Sequence, residues 1–92
     1  MTSNQQALKE LVDEATLGGR KPLSAPDAEI ILDWAEAYNY PGWRAKPGDV
    51  SSPSNWQGGK PPNIPPGQPH IHLPYAGAGG HVPVEPGVKP RP

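Results

Sequence analysis

His70-Ile71-His72-Leu73, the glycine-rich run Ala76-Gly77-Ala78-Gly79-Gly80, and His81-Val82-Pro83-Val84 read together as one element. Side chains alternate across a strand with a period of two. A strand over 70–73 puts His70 and His72 on one face, Ile71 and Leu73 on the other. A strand over 81–84 sets Val82 and Val84 on one face and His81 opposite. A glycine-rich link between two short alternating runs predicts a hairpin with a longer loop. When the apolar sides are turned together, His70, His72 and His81 share one face, and these are all the histidines of the chain.

A two-stranded hairpin is not stable alone, so the preceding chain must cover its apolar side. Residues 4–17 predict an amphipathic helix, capped by Ser3 or Asn4. Leu8, Leu11, Val12 and Ala15 fall on one stripe at helical period. Gly18-Gly19 ends it. A second helix is expected over 25–39. Ser24-Ala25-Pro26-Asp27 supplies an N-cap serine, a first-turn proline and an acid at the capping-box position. Ile30, Ile31, Trp34, Ala35 and Tyr38 are its expected apolar stripe, and Pro41-Gly42 stops it. The short basic link Arg20-Lys21-Pro22 makes the two helices an antiparallel hairpin. Residues 41–69 read as loop, including the extended Pro61-Pro62-Asn63-Ile64-Pro65-Pro66. The Pro-rich tail 85–92 is expected to fray. The fold class is therefore α+β: an N-terminal helical hairpin packed on a small C-terminal antiparallel β-hairpin, as a single domain. Trp34, Trp43 and Trp56 are the expected large core fillers.

Composition narrows the function. Hydrophobic residues are 34% of the 92, and Pro 15 with Gly 11 exceed a quarter. This predicts a small core with proline-stiffened arms, a domain that gains from a partner. There is no cysteine, which excludes disulfide staples and thiolate chemistry. The net charge of −1 argues against binding nucleic acid through bulk electrostatics. No stretch has the length of a membrane span, and the polar N-terminus does not read as a signal peptide. No P-loop, nucleophile elbow, zinc-finger spacing or dinucleotide fingerprint is present.

Two histidines at alternate strand positions place their imidazoles about 7 Å apart, from a rise of about 3.3 Å per residue. Two chemistries suit that arrangement. One is a metal-dependent site with His70, His72 and His81 as ligands. It wants an orienting carboxylate, and Glu85 and Asp49 are the nearest in sequence. The other is metal-free cleavage of an RNA phosphodiester. There the 2′-hydroxyl is an internal nucleophile, two imidazoles serve as base and acid, and a cation holds the phosphate. His72 and His81 would form the pair, with His70 supporting and Lys60 or Arg44 on the phosphate. Arg20, Lys21 and Lys46 would add local charge. Trp56 or Tyr75 would stack a base. Gly58-Gly59 and Gly77–Gly80 would offer backbone N–H groups to an anion. Solvated histidines without a role are the plain alternative. A further one is a non-catalytic module whose Pro-rich arms 60–69 and 85–92 dock on partner proteins.

Asn55-Trp56-Gln57-Gly58-Gly59, Pro69-His70-Ile71-His72-Leu73-Pro74 and Gly80-His81-Val82-Pro83-Val84 resemble the C-terminal toxin modules of bacterial polymorphic toxins, found at the ends of Rhs-repeat and contact-dependent inhibition proteins. Leu23-Ser24-Ala25-Pro26-Asp27-Ala28 and Tyr40-Pro41-Gly42 are also similar to theirs. The resemblance spans roughly residues 17–86. The chain departs from the pattern at Asn55, where an acid or histidine often stands, and in the added Pro-rich segment 60–69. The resemblance implies a domain delivered by a producer cell as part of a parent protein. It implies action in the cytoplasm of a neighbouring bacterium, and neutralisation by a cognate immunity protein. Many such tips are nucleases. The expected function is accordingly an antibacterial effector, a metal-independent ribonuclease acting on RNA without cofactor or membrane.

Overall fold

The computed structural model describes residues 1–51 and 67–91. Strands β1 (His70–His72) and β2 (His81–Pro83) pair antiparallel in the register His70↔Pro83, Ile71↔Val82, His72↔His81. Opposed residues project to the same side. Ile71 and Val82 thus form an apolar pair that is wholly buried, continued by Leu73 and Val84. His70, His72 and His81 lie on the other face. The connection requires glycine at Gly77, which has φ 63. A Cβ there would stand 2.5 Å from the His81 carbonyl oxygen.

Both edges of the hairpin are covered by residues from distant links. Along β1, Arg44 N–H donates to the His72 carbonyl at 2.9 Å, and His72 N–H donates back at 2.8 Å. Beyond β2, Leu23 N–H donates to the Pro83 carbonyl at 3.0 Å, and Glu85 N–H donates to the Leu23 carbonyl at 2.8 Å. Pro83 sits in the strand because its missing N–H falls at an edge position. These single-residue bridges blunt two edges that would otherwise offer unpaired backbone.

Helix α1 spans Ser3–Ala15 and α2 spans Ala25–Ala37. The cap of α1 is Thr2, not Ser3 or Asn4, because Gln5 completes a capping box with it. Gln5 N–H donates to Thr2 Oγ1 at 3.2 Å and Thr2 N–H to Gln5 Oε1 at 3.0 Å. The Gln5 amide also donates to the Tyr38 and Asn39 carbonyls at 2.9 and 3.1 Å. It thereby ties the start of α1 to the end of α2 in the expected antiparallel hairpin. Ser24 caps α2, accepting from Asp27 N–H at 3.2 Å. The helix is closed by Asn39 at φ 52, ahead of Gly42. Asparagine tolerates this left-handed conformation better than most residues.

The buried face of α2 differs from the expected stripe. Ala28, Ile31, Leu32 and Ala35 are buried, whereas Ile30 and Trp34 are 46% and 41% exposed. Trp34 is turned to the outer seam with α1, where it borders Leu8, Leu11 and Tyr38. The large filler is instead Tyr40, buried with its hydroxyl donating to the Pro74 carbonyl. Trp43 is half-buried against the core. Trp56 lies outside the described residues.

Two further differences matter. Within the expected loop 41–69, Pro47–Val50 forms a single helical turn, α3, with Val50 buried. Four residues are too few for a periodic signal. The tail is packed rather than frayed. Val88 is buried, Arg91 N–H donates to the Ala45 carbonyl at 2.6 Å, and the Arg91 guanidinium meets Glu29 at 3.1 Å and Asp33 at 2.7 Å. One continuous core runs from Leu8 to Val88, so the architecture is the α+β arrangement of helical hairpin and β-hairpin. No helix among the described residues is long and apolar enough to cross a membrane.

Candidate functional site

The register that buries Ile71 against Val82 brings the three imidazoles together. Ring centroids are 5.0 Å apart for His70 and His72, 5.3 Å for His70 and His81, and 4.7 Å for His72 and His81. The rings lean in from the roughly 7 Å spacing that strand geometry alone would set. His70 is buried; His72 and His81 are half-buried. The His70 Nδ1–H donates to the Gln68 carbonyl at 3.1 Å. A carbonyl only accepts, so this bond fixes the tautomer and leaves the Nε2 lone pair toward the cluster.

Arg44 arrives through the backbone ladder with His72, and its side chain follows. Arg44 Nη2 lies 2.7 Å from His72 Nε2. A guanidinium has no acceptor, so Nε2 accepts and His72 is neutral with the proton on Nδ1. Burial first, then the Arg44 charge, pushes the His72 pKa down to about 4, against the opposing pull of Asp49. Burial likewise lowers the pKa of His70, while the Gln68 carbonyl and Asp49 push back.

Asp49 is the carboxylate that the sequence left distant. The α3 turn carries it to the triad, 3.3 Å from His72 Nε2 and 3.6 Å from His70 Nε2. It grips Arg44 at 3.1 and 3.4 Å and accepts from Lys46 N–H at 3.1 Å. Burial opposes its ionisation. The Lys46 N–H, the Arg44 guanidinium and His72 outweigh that, and its pKa lies below the usual carboxylate value. With His72 neutral, the 3.3 Å separation is not an ion pair, and Asp49 serves chiefly to hold Arg44. Its signal in the sequence was Lys46-Pro47-Gly48-Asp49, a proline at a first helical position with an acid two residues on.

Beside the cluster is a cleft of about 470 Å³. Arg44 and His72 line it together with Pro74, Tyr75, Gly79 and Gly80. Tyr75 stands 69% exposed at positive φ on the cleft. Three of the four N–H donors of the expected anion nest at Gly77–Gly80 are used internally. Gly77 N–H donates to Asp13 Oδ1 at 2.8 Å, Ala78 N–H to the His81 carbonyl at 2.9 Å, and Gly80 N–H to the Ala76 carbonyl at 3.0 Å. Lys60 and the Gly58-Gly59 pair, like Trp56, lie outside the described residues. The sequence reading thus named His70, His72, His81, Arg44 and Tyr75, offered Asp49 beside Glu85 as a candidate carboxylate, and missed the Gln68 carbonyl.

No protein-family model matches the chain, and no curated protein or solved structure is significantly similar to it.

Proposed function

We propose that this domain is the toxic tip of an antibacterial effector, a ribonuclease that needs no metal and works by histidine acid–base catalysis. One observation carries the reading. Three imidazoles lie within 5.3 Å of one another, and one of them, His72, shares a cleft wall with an arginine 2.7 Å away. That set contains a base, an acid and a cation for the phosphate. His72, neutral at pH 7, takes the proton of the 2′-hydroxyl through Nε2. The 2′-oxygen attacks phosphorus and the P–O5′ bond breaks. His81 gives a proton to the departing 5′-oxygen. The products are a 2′,3′-cyclic phosphate and a 5′-hydroxyl, with the proton count balanced. Arg44 must first leave His72 Nε2 for the phosphate, so substrate binding itself uncovers the base. Tyr75 stacks a neighbouring base, and His70 supports the pair.

In this reading the domain is carried by a parent delivery protein and acts in the target-cell cytoplasm. A cognate immunity protein protects the producer. The rival reading as a Pro-rich docking module loses one of its two arms, since residues 88–91 are engaged with Glu29, Asp33 and Ala45.

The test is expression in a bacterium without a partner, followed by sequencing of RNA ends. Growth arrest with new 2′,3′-cyclic phosphate ends is expected. His72→Ala and His81→Ala, checked for folding by circular dichroism, should each lower cleavage by about 100-fold or more. Cleavage should persist in EDTA. Full toxicity of both variants would remove the histidine mechanism.

A further inference from the structure

The same three nitrogens have a second use. Each histidine offers one ligand atom, and the three atoms lie within 4.8 Å of one another. In a tetrahedral zinc site, with Zn–N of about 2.0–2.1 Å, ligand nitrogens stand about 3.4 Å apart. The gap is at most about an ångström and a half per pair, within reach of small side-chain rotations. The cluster is also prepared as metal sites are. His70 donates from Nδ1 to a backbone carbonyl, the outer contact that orients a ligating imidazole and fixes its Nε2 as the donor. Asp49, 3.3 and 3.6 Å from two of these nitrogens, supplies negative charge beside the ion. Three imidazoles with a carboxylate nearby suit a borderline divalent transition ion rather than magnesium or calcium, which prefer all-oxygen sites.

We propose that His70, His72 and His81 bind a divalent ion of the zinc class, and that the ion shuts the ribonuclease site by occupying the nitrogens that catalysis needs. The binding half stands without the ribonuclease reading; the inhibitory half rests on it. One feature of the site opposes binding and makes the idea specific. The Arg44 guanidinium covers His72 Nε2 and brings a like charge to the place of the cation. It must swing aside toward Asp49 and solvent, which its 44% exposed side chain permits.

The experiment uses the whole 92-residue chain, first stripped with chelator, with Zn²⁺ followed by calorimetry and Co²⁺ by its visible absorption. One ion per chain is expected, with the ring resonances of all three histidines shifting together in NMR. His81 is half-buried, so His81→Gln is the variant of choice, and circular dichroism checks that it folds. It should weaken binding by more than about 100-fold, since even outer partners of a ligand are worth about 10–100-fold. Arg44→Gln should tighten binding about tenfold by removing the competing cation. Absence of binding, or binding unmoved by His81→Gln, overturns the site. In the RNA cleavage assay, stoichiometric Zn²⁺ should stop the reaction and EDTA restore it. Stimulation by Zn²⁺, or no cleavage under any condition, overturns the inhibitory half, while calorimetry alone decides the binding half.

Discussion

His72 is held neutral by its surroundings, and that has a measurable consequence. Its pKa falls from 6.5 to about 4, through burial and the Arg44 charge, with Asp49 opposing and the rings of His70 and His81 adding to the lowering. His70 is lowered too, chiefly by burial. A depressed pKa means that the unfolded state binds protons more readily than the folded one. The stabilisation is fully present above pH 6.5 and is lost as pH falls through the folded value near 4. The urea midpoint, measured in EDTA, should therefore decline between these limits, and His72→Gln should flatten the decline. A profile level from pH 7 to 4.5 would contradict the assigned neutrality. Much of this site was legible in the sequence. Alternation fixed which face the histidines share, because a strand offers two faces and the apolar residues claim one. The choice of Asp49 over Glu85 was not legible, since Asp49 stands 21 positions before His70 and arrives on a turn too short to leave a pattern. Nor was the internal use of the Gly77 N–H, which depends on Asp13 reaching it from α1.

At the scale of elements, the hairpin turn and the tail are the places to test. Gly77 combines positive φ with a backbone oxygen where a side chain would go. Gly77→Ala should cost more than about 1 kcal/mol. It should also displace His81 and lower RNA cleavage beyond what the stability loss explains. Arg91 gathers Glu29 and Asp33 of α2, with Glu36 at 3.8 Å, and its side chain is only 18% exposed. Isolated surface pairs contribute little, but here one cation neutralises a row of acids on one helix face. Arg91→Ala should lower stability by about 1–2 kcal/mol, with the deficit shrinking at high salt as the unpaired acids are screened. A urea titration at two salt concentrations measures both. Proline content pointed to a loose tail, because composition says nothing of where Arg91 finds its partners. The stripe of α2 was misread by part of a turn. Ile30 and Trp34 lie close enough to the buried arc to fit the same period, and only tertiary packing chooses Ala28 and Leu32.

For the whole molecule, the proposed function sets an expectation for its partner. The chain carries a net charge of −1, yet Arg44 places a cation on the wall of the cleft. An immunity protein that blocks this cleft should present acidic side chains, with a carboxylate toward His72 or His81. An interface of about 1,200–2,000 Å² is expected. Association should slow as salt rises, and the small core should melt at a higher temperature in the complex. A complex structure with the histidines open, or salt-independent association, would remove this prediction. The bridging of both hairpin edges has one more implication. Arg44 is held 28 positions from His72, and Leu23 lies 60 positions before Pro83, yet each pair is joined by main-chain bonds. Contacts so distant in the chain form late and together. In the proposed ribonuclease, the base His72 and the phosphate-binding Arg44 would meet only when the ladder between them has formed. Under that proposal, a chain delivered unfolded would be harmless in transit and gain activity only on folding.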